Sequence, residues 1–429
     1  MISHTIQSEF GEIQINGICD AAFNGVLETF EENFRERGEL GACVCITQNN
    51  VPVVDLWGGL AKAKTKAPWT RDTVSFIWSS TKGAMAVCVH MLVSRGLIDL
   101  DAPLARYWPE FGQKGKQDIP VHLILSHQGG IPHWRKRLKD YAFLDWDYMV
   151  KACEEEEPFW KPGERHGYHA LSIGFLCGEL VRRVTGKTIG AFFQEEVAKP
   201  LGLDFWIGLP EEYDPRMAAI MMPGELGQDG LVFADEGGPT SDFYVKAATE
   251  PDSIQGLQEY NHGGFLDNYY KRAYRAAESP AVGGISNARG LAGMYAPLAC
   301  GGKTGNFEMV DADTLARMGA VAAAGNDATL LLPTRYGLGF HKGCDNRGWK
   351  TDHKNHILMY NVIMSEDAFG HVGFGGSIGL ADPAANMSFG YVMNRMGMGI
   401  GLNPRGQSLL DAAYRSLGYR SNASGRWTV

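Results

Sequence analysis

The sequence lacks most of the features that would assign a function at a glance. Its eight cysteines (Cys19, Cys43, Cys45, Cys88, Cys153, Cys177, Cys300 and Cys344) include no Cys-x-x-Cys pair. Scattered thiols in apolar surroundings are expected to be reduced and buried in a cytoplasmic protein rather than to form a disulfide framework. No uninterrupted apolar run reaches the length of a membrane span. The opening "MISHTIQSEFGEIQ" is polar and has no basic segment leading into an apolar one, so no secretory signal is expected. There is no basic block and no basic-aromatic stripe. With a net charge of −9 and both signs mixed along the chain, nucleic acid is excluded as a partner. His166-x-x-His169 and His353-x-x-His356 have helical spacing but no acid placed as in HExxH, so neither a metal nor another cofactor is expected. Internal repeats and low-complexity tracts are absent, and nothing in the sequence signals an oligomeric state.

What is present is enough apolar material for a large core: 429 residues, 45% of them hydrophobic. That length suits two or three domain-sized units or one interleaved enzyme. Residues 21–38 place apolar side chains at helical spacing and stop at Gly38. "GACVCITQNNVPVVDLWGG" reads as two strands joined at Asn49-Asn50, with Trp57-Gly58-Gly59 as a turn. "VSFIWSSTKGAMAVCVHMLVSRGLI" passes from a strand into a long helix, with N-cap chemistry from Ser79 or Ser80 and a stop at Gly96. Residues 97–210 look mainly helical. Residues 211–284 are rich in Gly, Pro, Asp and Glu, with aromatics at Phe233, Phe243, Tyr244, Tyr260, Phe265, Tyr269 and Tyr270, and read as a long irregular lid. The C-terminal third returns to glycine-punctuated strands, "YGLGF", "HVGFGGSIGLADP" and "SFGYVMNRM", and closes with the helix "GQSLLDAAYRSLG". Strands at both ends around a helical middle predict one sheet completed by both termini.

Ser79-Ser80-Thr81-Lys82 is the only place where a serine has a lysine three positions on. Positions i and i+3 share a helix face, so the Lys82 ammonium falls near the Ser79 hydroxyl. The following "GAMAVCVHML" is apolar up to His90, so this turn enters a buried helix. Burial lowers a lysine pKa and lets the amine accept a proton. Backbone N–H groups at the helix start are suited to holding an oxyanion.

Here the sequence resembles a family. "FIWSSTKGAMAV" is similar to the Ser-x-x-Lys segment of serine β-lactamases and penicillin-binding proteins, and more closely to the Ser-x-Thr-Lys of family VIII carboxylesterases, relatives of the class C β-lactamases. "VDLWGG", "GLIDLDAPLARYWPEFGQKGK", "LILSHQGGIP", "PGERHGYHALSIGFLCGELVRRVTG", "PLGL", "AVGGISNARGLAGMY" and "GFGGSIGLADP" follow the family order over most of the chain. The resemblance implies Ser79 as nucleophile, with Ser80 at the variable position. It implies Tyr168, in Tyr168-His169-Ala170, as the second-motif tyrosine, drawn toward phenolate by Lys82 and shuttling the proton. Ala170 departs from the lactamase Tyr-x-Asn and lacks the amide that would meet a lactam side chain.

The same resemblance places His371-Val372-Gly373 where lactamases carry Lys-Thr-Gly, and Phe374-Gly375-Gly376 where family VIII esterases carry Trp-Gly-Gly. His371, Gly373, Gly375 and Gly376 are then the substrate-binding residues, and the N–H groups of Ser79 and Phe374 the oxyanion hole. A mostly neutral histidine holds a drug's carboxylate poorly, which favours neutral esters. His127, in "LSHQGG", is expected near the site as a structural residue. "GGKTG", residues 301–305, matches neither of its two look-alikes. A phosphate loop needs glycine at position 297, where Pro297 stands, and the segment precedes the predicted helix "DADTLARM" rather than entering a strand. It reads as a turn between helices.

The implied fold is α+β, of the β-lactamase/DD-peptidase type. Residues 1–82 and 285–429 would form the sheet domain, and residues 83–284 a mainly helical domain including the 211–284 lid. The implied activity is hydrolysis of a small-molecule carboxylic ester through an acyl-enzyme on Ser79. The alternatives are an acyltransferase on the same fold and an amide-bond hydrolase (β-lactamase, D-peptidase or oligoamide hydrolase). A catalytically silent binding homologue is disfavoured by the intact Ser79, Lys82 and Tyr168.

Overall fold

The computed structural model describes residues 1–222, 241–349, 360–397, 399 and 401–429. The N-terminal segment supplies strands β1 (Ile2–Ser8), β2 (Gly11–Cys19), β3 (Gly41–Gln48), β4 (Val51–Lys62) and β5 (Ala67–Pro68). Helix α1 (Asn24–Glu36) lies between β2 and β3, and Gly38 beyond it takes φ +65°. Asn49 and Asn50 have φ of 52° and 63°, the double left-handed turn that matches the twist of a two-residue hairpin. Trp57-Gly58-Gly59 is not a turn. It lies inside β4, where Trp57 pairs with Cys43 and with Asn16.

Strand β6 (Ser75–Trp78) runs into helix α2 (Thr81–Ser94). Every residue of α2 from Thr81 to Leu92 is buried, so α2 is a central helix rather than an amphipathic one. β6 pairs with β8 (Gly284–Ser286), which also pairs with β7 (Phe205–Ile207), in a small antiparallel sheet. After the helix Ala288–Ala299, the Lys303 segment forms a two-stranded hairpin of β9 (Lys303–Thr304) and β10 (Phe307–Glu308), and the helix Ala312–Gly319 follows. "GGKTG" is thus a connection between helices, as the sequence suggests.

The C-terminal strands are β11 (Ala323–Asn326), β12 (Pro333–Tyr336), β13 (His341–Lys342), β14 (Phe369–Val372), β15 (Ile378–Asp382) and β16 (Met387–Met393). "YGLGF" is the turn from β12 to β13, not a strand of its own. The main sheet has 11 strands in the order β1-β2-β4-β3-β16-β15-β14-β13-β12-β11, with β5 on β4, and each pairing is antiparallel. The last strand, β16, pairs with β3, which closes the two termini into one sheet. Helix α1 and the final helix, Pro404–Ser416, pack together: Asn33 Nδ2 donates to Arg405 O at 3.1 Å, and the buried Arg405 meets the buried Glu39 at 3.0 Å.

The described part of the lid is not irregular. It holds short helices at Asp242–Thr249, Ile254–Tyr260, Phe265–Asn268 and Arg272–Ala276. Ser241 and Ser253 cap the first two by accepting from the N–H groups of Tyr244 and Gly256. The glycine-rich composition that suggested a loop concentrates in residues 223–240, which with Phe233 lie outside the described residues.

Candidate active site

The strand-to-helix junction at Trp78–Lys82 is held on every side. Ser80 occupies the N-cap position of α2 but makes no capping bond. Its hydroxyl instead donates to His371 O at 3.1 Å and lies 3.0 Å from Ser377 Oγ. Ser80 is therefore committed to the clasp with β14, and the expected N-cap chemistry is absent. Ser377 Oγ also donates to Ile77 O at 2.7 Å, and Thr81 Oγ1 closes back on Trp78 O. These bonds leave Ser79 as the serine free to react.

Lys82 is completely buried. Its Nζ lies 3.0 Å from Ser79 Oγ, 2.8 Å from Ala170 O and 2.9 Å from Ala281 O. Burial alone pulls its pKa well below the usual lysine value. A neutral amine has two N–H donors and one lone pair. With both donors spent on the two carbonyls, the lone pair faces the Ser79 hydroxyl. The tetrapeptide thus brings a serine hydroxyl into hydrogen-bond contact with a desolvated amine, an arrangement that suits a nucleophile and its base.

Tyr168 is buried beside this pair, and Lys82 Nζ stands 4.8 Å from the centre of its ring. Its hydroxyl has no hydrogen-bond partner among the described residues. Burial pushes the phenol pKa up, more than the neighbouring Ser79 hydroxyl pulls it down. The expectation of a phenolate is therefore not met: burial outweighs the groups that would favour ionisation, and the resting Tyr168 is a neutral phenol. Its backbone is fixed from two directions. Asp327 accepts from Tyr168 N at 3.0 Å, and Gln258 Nε2 donates to Tyr168 O at 3.1 Å.

Sequence reasoning missed Asp327. Buried, it also accepts from the N–H groups of Thr329 and Leu330 and from the hydroxyls of Thr334 and Tyr336. A single acid just ahead of the apolar run "TLLLP" is the signal that could have found it, since a lone buried carboxylate must be paid in hydrogen bonds. Gln258 carries no such signal, because its helix was read as loop.

His127 packs its ring on Tyr168 at 5.0 Å, and its Nδ1 accepts from His169 N at 3.1 Å. It is buried against the tyrosine and makes no hydrogen bond to Ser79. His371 is also buried, 6.2 Å from Tyr168 between ring centres. Its Nδ1 lies 2.7 Å from Val372 O and must donate, so in the neutral ring Nε2 is an acceptor. A second imidazole, His341, stacks on it at 3.9 Å. Burial above all holds His371 well below the ordinary histidine pKa. His371 is thus uncharged and presents a lone pair, which does not suit a carboxylate.

The turn after β14 brings backbone to the nucleophile. A Cβ on Gly373 would come within 2.2 Å of Ile77 O, so only glycine lets the two segments close. The N–H groups around the site are mostly spoken for: Ser80 N bonds Ile77 O, Gly373 N bonds Ser377 O, Gly375 N bonds Gly399 O and Gly376 N bonds Gly373 O. Those of Ser79 and Phe374 have no such partner among the described residues. Gly375 and Gly376 take φ of +80° and +116°, and Asn403 Nδ2 steadies the turn by donating to Gly375 O at 2.7 Å. From the lid, Phe265 and Tyr269 reach the ring of Trp78 at 6.5 and 4.9 Å, while Tyr260 and Tyr270 are exposed on the surface.

Among the described residues, no three His, Cys, Asp or Glu side chains are grouped to hold a metal ion. A cavity of about 550 Å³ lined by Trp134, Arg135, Leu138 and Tyr148 lies apart from Ser79, and its cations are paired with Glu154, Glu155, Glu156 and Glu157. No helix of the described residues is long and apolar enough to cross a membrane.

The Beta-lactamase family profile matches residues 27–412. The Esterase/beta-lactamase LipL of Mycobacterium tuberculosis is 32% identical over 402 residues, covering 89% of this chain and 83% of that protein. A crystal structure of a family VIII carboxylesterase is 36% identical with a TM-score of 0.79, covering 94% of this chain and 99% of that one. EstA from Arthrobacter nitroguajacolicus Rue61a is 29% identical with a TM-score of 0.78, at the same coverage of 94% and 99%.

Proposed function

Because the chain belongs to the Beta-lactamase family, we propose that its Ser79–Lys82 pair hydrolyses carboxylic esters through an acyl-enzyme. The observation that carries this is the 3.0 Å contact between the Ser79 hydroxyl and a fully buried lysine whose other two partners are carbonyls. Lys82 takes the Ser79 proton as Oγ attacks the ester carbon. The oxyanion that forms accepts from the N–H groups of Ser79 and Phe374 in a buried site, where such donors act most strongly. Tyr168, a neutral phenol, gives its proton to the departing alkoxide, and the proton on Lys82 restores the phenol. Water then enters and loses its proton along the same path. Its oxygen attacks the acyl carbon, and Ser79 leaves and is reprotonated.

The uncharged His371, with Gly373, Gly375 and Gly376 beside it, favours neutral esters over β-lactams, whose carboxylate would face a lone pair. The eight cysteines, all free thiols, fit a reducing compartment, and on that ground we place the protein in the cytoplasm. The test is intact-mass labelling with a fluorophosphonate together with turnover of a nitrophenyl ester. Wild type is expected to gain one adduct and to hydrolyse the ester, and Ser79→Ala to do neither. Full esterase activity in Ser79→Ala would refute the assignment.

A further inference from the structure

The residue before the nucleophile, Trp78, has φ +48°, a left-handed conformation that a bulky side chain rarely adopts. It holds this conformation because its ring is gripped from three parts of the chain. Phe76 of its own strand lies at 5.9 Å and the lid residues Phe265 and Tyr269 at 6.5 and 4.9 Å. Phe374, from the turn after β14, meets it edge-on at 5.6 Å and 86°. The Trp78 carbonyl is bonded by Thr81 Oγ1, whose oxygen also accepts from Gly284 N at 2.8 Å. The ring is 2% exposed, and its Nε1 has no partner among the described residues. A tryptophan buried with an unspent donor and a strained backbone is unfavourable on its own terms. Glycine would satisfy the same φ without strain.

We propose that Trp78 is a positioning residue that sets the two oxyanion donors against each other. This rests on the reading of Ser79 and Phe374 given above. Through its backbone, Trp78 aims the N–H of Ser79, the next residue. Through its ring, it fixes the side chain of Phe374, whose own N–H is the second donor. The Phe265–Asn268 helix and Tyr269 form the clamp that keeps the ring, and hence the spacing of the donors, in place. Stacked and edge-to-face rings add directional attraction to apolar burial, which suits them to holding a strained junction.

The test compares wild type with Trp78→Gly, Trp78→Phe and Phe265→Leu. Each is assayed for kcat and KM on nitrophenyl acetate and for inhibition by a boronic acid, which forms a tetrahedral adduct on the serine. Fluorophosphonate labelling confirms in each variant that Ser79 still reacts. A wild type that is not labelled would refute the serine mechanism itself, whatever the Trp78 variants do. Trp78→Gly is expected to lower kcat/KM about 100-fold, the effect of losing one oxyanion donor, mostly in kcat. Boronate affinity should weaken in proportion. Trp78→Phe should recover to within about tenfold of wild type, because a ring returns. Phe265→Leu, which loosens the clamp at a distance and serves if Trp78→Gly does not fold, should show a smaller loss of the same kind. Wild-type kcat/KM in Trp78→Gly would overturn the proposal. So would a loss confined to KM with boronate affinity unchanged, the mark of a mere pocket wall.

Discussion

Replacing Lys82 by methionine separates a charged lysine from a neutral one through stability alone, without a substrate. In the unfolded chain Lys82 protonates near the ordinary value of about 10.4. In the folded protein burial pulls it well below that. Between the two pKa values the unfolded chain holds one more proton than the folded one. Unfolding stability therefore rises with pH there, by about 1.4 kcal/mol per unit, and is flat below the folded pKa, where both forms are protonated. The lysine is thus a burden that is greatest in acid and is relieved as the pH climbs toward 10. Methionine, of similar length and apolar, carries no such dependence. It leaves Ala170 O and Ala281 O without their donor, a cost of about 1–3 kcal/mol for each that does not vary with pH. Urea unfolding of both proteins from pH 6 to 9.5 gives the difference directly. Wild type minus Lys82→Met should rise by about 1.4 kcal/mol per unit at the alkaline end and level off at the folded pKa of Lys82. The same break should appear as the acid limb of kcat/KM, since a protonated lysine cannot take the serine proton. Parallel stability curves across the range would show that Lys82 is charged in the folded state. The proposed base would then be the wrong one.

Other consequences are simpler to read. Tyr168→Phe removes a buried hydroxyl with no partner, so thermal stability should hold or rise by about 1 kcal/mol, while kcat falls about 100- to 10,000-fold for loss of the proton donor. Asp327→Asn keeps one acceptor oxygen and turns an NH2 toward the remaining donors. Urea unfolding should report a loss of about 3 kcal/mol, and kcat should fall as the Tyr168 backbone it holds is released. Lys303→Ala, in the exposed hairpin between helices, should leave both kcat/KM and stability unchanged within error.

The parts of the site that were legible in the sequence are those encoded locally. Ser79 and Lys82 are three residues apart on one helix, and the apolar run after them announces that the helix is buried. The hairpin at Asn49-Asn50 and the glycine stops are equally local. What could not be read depends on contacts across the chain. Ser80 was expected to cap its own helix, yet its hydroxyl is taken by a carbonyl 291 residues away. Tyr168 was expected to ionise beside Lys82. Whether a phenol ionises there depends on how dry the pocket is, and dryness is a property of the assembled fold. The lid composition looked like loop because its glycines and prolines were averaged over a window that mixes residues 223–240 with four short helices, the first two capped by serines. Trp57-Gly58-Gly59 has turn-like composition, but pairing on both sides of β4 overrides local preference.

A pattern in the buried polar atoms ties these observations together. Far from Ser79, two buried carboxylates are fully engaged. Glu39 meets Arg405 and Tyr391, and Asp382 accepts from Ser365, Tyr414 and the N–H of Ala385. The residues near Ser79 include several buried polar atoms that are not. Trp78 Nε1, Tyr168 Oη, His371 Nε2 and both nitrogens of His341 are buried without partners among the described residues. Each such atom costs about 1–3 kcal/mol relative to a satisfied one. A polar atom already bonded to protein has nothing to offer a proton in transit or a charge that exists only in the transition state. The same dryness that leaves these atoms unpaired also keeps Lys82 a base, Tyr168 an acid and His371 neutral. The protonation states this chemistry needs therefore share one physical cause, burial at the junction of α2 with β14.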